Sequence, residues 1–252
     1  HEPYRRQRQM CIRDRKKIYT YLMILTMSVL VISCNSEWDE EQYEQYISFK
    51  APVGDKGVTD IYVRYKQGGE ATYRLPMIVS GSLPNGKDRT VHIAVDTDTL
   101  DILNAARFGR EDLYYVALES NRYAFPSTVD IPAGTFSTLL DITFNLDNID
   151  LFKKWVLPLS IADDPSYNYE GHPRKNYAKA LLRVLPFNDY SGTYSTTAMQ
   201  VYIKNRDGSI DKSEAIPTTT RTAYVVDENT VFFYAGATVS YTHLTLPTIR
   251  LV

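Results

Sequence analysis

The stretch Arg89-Thr90-Val91-His92-Ile93-Ala94-Val95-Asp96 puts Val91, Ile93 and Val95 on one side of an extended chain and Thr90, His92 and Ala94 on the other. A period of two residues is that of a strand with one buried face. Pro84-Asn85-Gly86-Lys87 supplies a turn before it. Thr97–Phe108 follows as the one convincing helix: Thr97 or Asp98 can cap it, Leu100, Leu103 and Ala106 share a face, and Gly109 stops it. Upstream, Val58–Tyr65 and Ala71–Ser80 read as strands. Pro76 marks the latter as an edge or bulged strand, and Gly68-Gly69 reads as a hairpin turn. Downstream, strands are expected at Tyr114–Leu118, Ser127–Ile131, Thr138–Asn145, Trp155–Ala162 and Tyr177–Leu185, with a helical turn near Ile149–Lys154. Short strands separated by turn residues predict a mainly β fold, a sandwich or barrel with one short helix.

The N-terminal region has a different character. Lys16 and Lys17 precede an apolar run from Tyr19 to Ile32, which ends at Val31-Ile32-Ser33-Cys34. The run is shorter than the roughly 20 residues that span a bilayer, and it has the pattern of a secretory signal. Its end resembles the lipobox of bacterial lipoproteins, which implies that residues 16–33 are a signal peptide and Cys34 the lipidation site. Residues 34–45 form an acidic tether with no hydrophobic period. Acidic residues just after a lipidated cysteine resemble the signal that sends Bacteroidetes lipoproteins to the outer face of the outer membrane. Both chain ends resemble translated sequencing adapter, Met10–Arg15 in one sense and Val239–Leu244 in the other. Residues 1–15 and 239–252 are therefore expected to be assembly artefact and to make few long-range contacts.

Of the 28 Lys and Arg, 20 fall in residues 34–238, against 28 of the 30 Asp and Glu, a net charge of −8. Nucleic-acid binding needs clustered cations, so that partner is excluded. The two cysteines are Cys11 and Cys34, so no disulfide, thiolate nucleophile or Cys-ligated metal is expected in the folded part.

Two segments carry a family resemblance. Val129-Asp130-Ile131-Pro132-Ala133-Gly134, followed by Trp155-Val156-Leu157-Pro158-Leu159-Ser160-Ile161, resembles the immunoglobulin-like domain of unknown function at the N-terminus of many Bacteroidetes surface lipoproteins. In some of these it precedes a family 18 glycoside hydrolase domain. Phe187-Asn188-Asp189-Tyr190-Ser191-Gly192-Thr193-Tyr194, with Arg221–Val226 and Val231–Gly236, resembles the calycin-like β domain that follows it in such proteins. The resemblance implies an immunoglobulin-like β-sandwich over 46–186 and an incomplete calycin-like antiparallel β domain over 187–238.

The candidate chemistry is sparse. Asp96-Thr97-Asp98 offers two close carboxylates, but at a strand-to-helix junction it reads as a cap. Asp163-Asp164-Pro165 could offer oxygens to Ca²⁺ and reads better as a turn; His92 reads as an ordinary sheet residue. No catalytic residue, metal site or cofactor is expected. The most suggestive segment is the polar loop from Asp163 to Tyr177, which bears three tyrosines. Tyr167 and Tyr169, two apart, should share a side and form a stacking platform for sugar, with Asp164, Arg174 and Asn176 contacting hydroxyls. The expected function is thus that of a non-catalytic, lipid-anchored surface protein of a glycan-acquisition system, facing the cell exterior. Its partners would be membrane lipid through Cys34, glycan and other uptake proteins. An adhesion module that holds protein partners and the N-terminal fragment of a glycosidase are the alternatives.

Overall fold

The computed structural model describes residues 19–23, 25, 40–174, 176–205, 207–217, 219–234 and 248–251, so Cys34 and residues 1–15 lie outside the described residues. The chain divides into an N-terminal unit, residues 1–43, and a compact unit, residues 44–252. In the first, residues 19–23 and 25 are helical and exposed, and no helix among the described residues is long and apolar enough to cross a membrane.

The compact unit is mainly β. Its strands begin with β1 (Tyr46–Phe49), β2 (Thr59–Arg64), β3 (Glu70–Val79), β4 (Arg89–Val95), β5 (Val116–Ala117) and β6 (Tyr123–Ala124). They continue with β7 (Thr128–Ile131), β8 (Ser137–Asn145), β9 (Trp155–Ile161), β10 (Glu170–Gly171) and β11 (Lys179–Phe187). The last are β12 (Gly192–Ser195), β13 (Gln200–Lys204), β14 (Ile210–Pro217), β15 (Thr220–Val225), β16 (Val231–Tyr234) and β17 (Thr248–Leu251).

Two sheets form the expected β-sandwich. One has the order β10-β1-β3-β8-β6, the other β2-β11-β9-β4-β7, with β5 alongside β9. The alternating faces of the first bring in Ile47, Phe49, Leu75, Met77, Leu140, Ile142 and Phe144; the second contributes Ile61, Val63, Val91, Ile93, Leu157, Leu159, Leu182 and Val184. All join one core, whose burial is the main stabilising term. Most neighbours are antiparallel, but β11 runs parallel to β2. Gly68, at φ +62°, turns the chain from β2 in one sheet to β3 in the other, so Gly68-Gly69 makes a corner between sheets rather than a hairpin. Gly134 at φ +80° closes the Pro132-Ala133-Gly134 turn, as the residue types require.

Pro76 sits in the middle of β3, between β1 and β8, and not at an edge. Its carbonyl accepts from the Lys50 N–H at 2.8 Å, so its ring nitrogen faces the same side, just past the end of β1. The missing N–H falls where the ladder has already stopped. Pro158 in β9 repeats the arrangement beside β4: its carbonyl accepts from the Asp96 N–H at 3.1 Å.

The helix Thr97–Arg107 covers the outer face of the second sheet, packing Leu100 with Val58, Tyr115 and Val156. This accounts for the burial of β9 on both faces. The cap is Asp96, not Thr97 or Asp98: its carboxylate accepts from the Thr99 N–H at 3.0 Å and the Thr99 hydroxyl at 2.7 Å. Lys179 Nζ lies 2.7 Å from the other side of the pair. Burial alone would raise the Asp96 carboxyl, but the hydrogen bonds from Lys179 and Thr99 outweigh it and hold the pKa below its ordinary value. A depressed folded pKa stabilises fully above the unfolded value near 4 and loses that contribution as pH falls through the folded value. Asp96→Ala should therefore cost about 0.5–2 kcal/mol at pH 7, and the gap from wild type should narrow toward about pH 3. Urea unfolding along that pH series measures it, and a gap that widens on acidification contradicts the sign.

After the sandwich, β12-β15-β16-β17 form an antiparallel sheet and β13-β14 a separate ladder, the expected antiparallel β extension. The join is not a linker. Strand β11 runs through Pro186 to Phe187, and Val225 of β15 belongs to the main core. Glu44 and Gln45, expected in the tether, belong to the compact unit. The expectation that 239–252 lacks long-range contacts fails at its far end, where Thr248–Leu251 pairs with Val231–Tyr234. An open strand edge presents unpaired N–H and C=O groups that an extended segment can satisfy through its main chain alone. Residues 235–247 lie outside the described residues. Near Ile149–Lys154 the chain makes turns, not a helix.

Candidate functional site

The loop from Asp163 to Tyr177 is tied down along its length. Asp164 accepts from the Ser166 N–H at 2.8 Å and its carbonyl accepts from the Tyr167 N–H at 2.9 Å, which closes a turn. Hydrogen bonding to Ser166 also holds the Asp164 carboxyl below its ordinary pKa. Farther on, β10 pairs in parallel with β1, and Phe49 N–H donates to the Tyr177 carbonyl at 2.8 Å.

Tyr167 and Tyr169 do share a side, their rings stacked with centroids 5.3 Å apart. That side is the interior. Tyr169 is only 3% exposed and belongs to the core; its hydroxyl donates to the Ala162 carbonyl at 2.8 Å and accepts from the His92 N–H at 2.9 Å. It bridges β4 and β9 just beyond their last pair, Ile93 with Ile161. Tyr167 is half-buried between Tyr169 and the His92 ring, the latter stacked 4.2 Å away and nearly parallel to it. The expected solvent-facing platform is therefore corrected to a buried stack: residue spacing sets a common side but not which side.

The other loop residues do not converge either. Asp164, Arg174 and Asn176 are exposed. Asn176, at φ 111°, lines a separate cavity with Tyr177 and the end of β1. His172 stacks on Tyr177 at 4.7 Å, and its Nδ1 accepts from the Arg174 N–H at 3.1 Å. Burial and the nearby Arg174 keep this imidazole below its usual pKa.

What the loop does form is one wall of a polar cavity of about 300 Å³, shared with Glu44, Gln45, Lys87 and Arg89. A second cavity, of about 510 Å³, lies in the antiparallel extension. It is lined by the apolar Ala223, Val231 and Phe233 together with Tyr190, Tyr194, Thr196, Arg221 and Asn229. Tyr190 and Tyr194 are 53% and 49% exposed. The Tyr190 backbone is fixed by Asn188, 3% exposed, whose side-chain amide donates to the Asp227 and Thr230 carbonyls and whose Oδ1 accepts from the Tyr190 N–H. The Tyr194 hydroxyl donates to the Tyr190 carbonyl at 2.6 Å. Sequence reading passed over this pair, although both residues stand in the Phe187–Tyr194 motif, four apart around Gly192.

These features define a β-sandwich protein with an antiparallel extension, carrying one polar and one aromatic concavity. The chain belongs to the family described as domain of unknown function DUF4973, whose model matches residues 38–165. A second family model, of a C-terminal domain, matches residues 178–245. Among solved structures it is similar to a Bacteroides ovatus protein of unknown function, at 56% identity and TM-score 0.66, covering 77% of this chain and 63% of that one. A multidomain protein including DUF1735 from the same species has 53% identity and TM-score 0.65, with 77% and 62% covered. An auxiliary nutrient binding protein from Bacteroides thetaiotaomicron has 42% identity and TM-score 0.65, with 82% and 70% covered. The chain thus spans less than two thirds of the length of the first two. No curated protein matches it.

Proposed function

We propose that this is a non-catalytic glycan-binding protein of the cell surface, anchored by lipid at Cys34 in the outer membrane and acting in a polysaccharide or glycoprotein-glycan acquisition system. Its immunoglobulin-like sandwich would carry the extension that holds the glycan. The observation that carries the reading is the cavity of about 510 Å³, where two half-exposed tyrosines share the lining with Thr196, Arg221 and Asn229 and with the apolar Ala223, Val231 and Phe233. Sugar rings present C–H faces that pack on aromatic rings, and their hydroxyls need donors and acceptors at the edges. The Bacteroides thetaiotaomicron relative described as an auxiliary nutrient binding protein supports a binding role.

The test is a glycan array followed by calorimetric titration. Tyr190→Ala/Tyr194→Ala should weaken binding on the order of tenfold or more, since each aromatic contact contributes about 0.5–1.5 kcal/mol. Circular dichroism should remain that of the wild type, because both side chains are half exposed. Unchanged affinity removes the site from this cavity. In cells, Cys34→Ala should release the protein from the membrane fraction; full retention would rule out the lipid anchor.

A further inference from the structure

We infer a second site, which takes the carboxylate of an acidic sugar, in the polar cavity walled by Arg89 and the Asp163–Tyr177 loop. The choice of a sugar rests on the glycan-binding reading; the choice of a carboxylate rests on Arg89. This residue is 6% exposed, and among the described residues no carboxylate forms an ion pair with it. Its guanidinium is held by neutral acceptors: Nε by Asn85 Oδ1 and Nη2 by Gln45 Oε1, both at 2.7 Å, and Nη1 by the Asn168 carbonyl at 3.5 Å. Both amides are themselves oriented. Asn85 Nδ2 donates to the Ile131 and Pro132 carbonyls, and Gln45 Nε2 to those of Leu83 and Pro84. Their oxygens must therefore face the guanidinium. Of its five N–H groups, three meet these acceptors, which leaves one on each Nη.

A buried cation is costly unless a counter-charge meets it. Here the guanidinium is prearranged, nearly dry, and lines a cavity of about 300 Å³, room for one monosaccharide. A carboxylate suits its two free N–H groups and its single charge. Glu44 and Glu170 line the same cavity and would repel a dianion such as phosphate, whereas they accept hydroxyl protons well. A ligand with one negative charge and several hydroxyls, a hexuronic acid, fits that combination. Lys87 on the wall balances one of the two glutamates.

The experiment titrates the purified protein with galacturonate and glucuronate, and in parallel with galactose, glucose and acetate. The uronates should bind at least tenfold more tightly than their neutral parents and than acetate. Arg89→Gln should abolish that preference, while Tyr190→Ala/Tyr194→Ala leaves it intact. Wild-type protein that binds uronate no better than the neutral sugar, or that binds acetate equally well, overturns the inference whatever the variants do. So does a folded Arg89→Gln that keeps the preference. Neutral-glycan affinity unchanged by Tyr190→Ala/Tyr194→Ala, with the uronate preference present and lost in Arg89→Gln, would sink only the earlier reading.

Discussion

Replacing Tyr169 by alanine should lower the unfolding free energy by about 3–5 kcal/mol, the range for deleting a buried aromatic. The ring is 3% exposed and stacks on Tyr167, and its loss also strips the His92 N–H and the Ala162 carbonyl of their partner. Tyr169→Phe keeps the ring and removes only the hydroxyl, so it should cost less, about 1–3 kcal/mol. Guanidinium unfolding of both variants separates packing from hydrogen bonding. A cost for alanine near that of a surface substitution would mean that the loop does not belong to the core.

A comparable loss is expected at Asn104, the polar residue that the helix buries. Its Oδ1 accepts from the Tyr115 N–H and its Nδ2 donates to the Tyr115 carbonyl, both at 2.9 Å, with Asn104 itself 3% exposed. One side chain thus satisfies both main-chain groups of a neighbour outside any ladder. Asn104→Leu has similar volume but leaves both groups buried without a partner, at about 1–3 kcal/mol each. A loss of about 2–6 kcal/mol in urea unfolding is expected. A neutral outcome would show that Tyr115 finds other partners.

The sandwich was legible because its signal is local. In β4 the alternation of Val91 and Ile93 survives as burial, and in β9 the apolar run Trp155–Leu159 reflects two covered faces, one toward the core and one under the helix. The helix bounds were readable to within a residue, but its cap was assigned one residue late, because Asp96 also ends a strand. Partner choice was not legible: Gly68-Gly69 has the residues of a hairpin, and only three-dimensional packing sends β2 and β3 to different sheets. The loop tyrosines failed for a related reason. Their spacing encodes a shared side, whereas the acceptor that draws Tyr169 inward, the Ala162 carbonyl, is a main-chain atom with no residue-type signature. Arg89 was passed over as one more strand residue. Its isolation from carboxylates depends on Asn85 and Gln45, four and 44 positions away in the chain.

The two prolines inside central strands also bear on strand register. In a sheet with one buried face, a slip of one residue exposes the core and corrects itself, so the dangerous error is a slip of two, which keeps every side chain on its proper face. If β1 slid two residues further along β3, a β1 carbonyl would face the Pro76 nitrogen and find no proton there; sliding β4 along β9 meets the same obstacle at Pro158. Each ring thus disfavours the face-preserving misalignment in one direction.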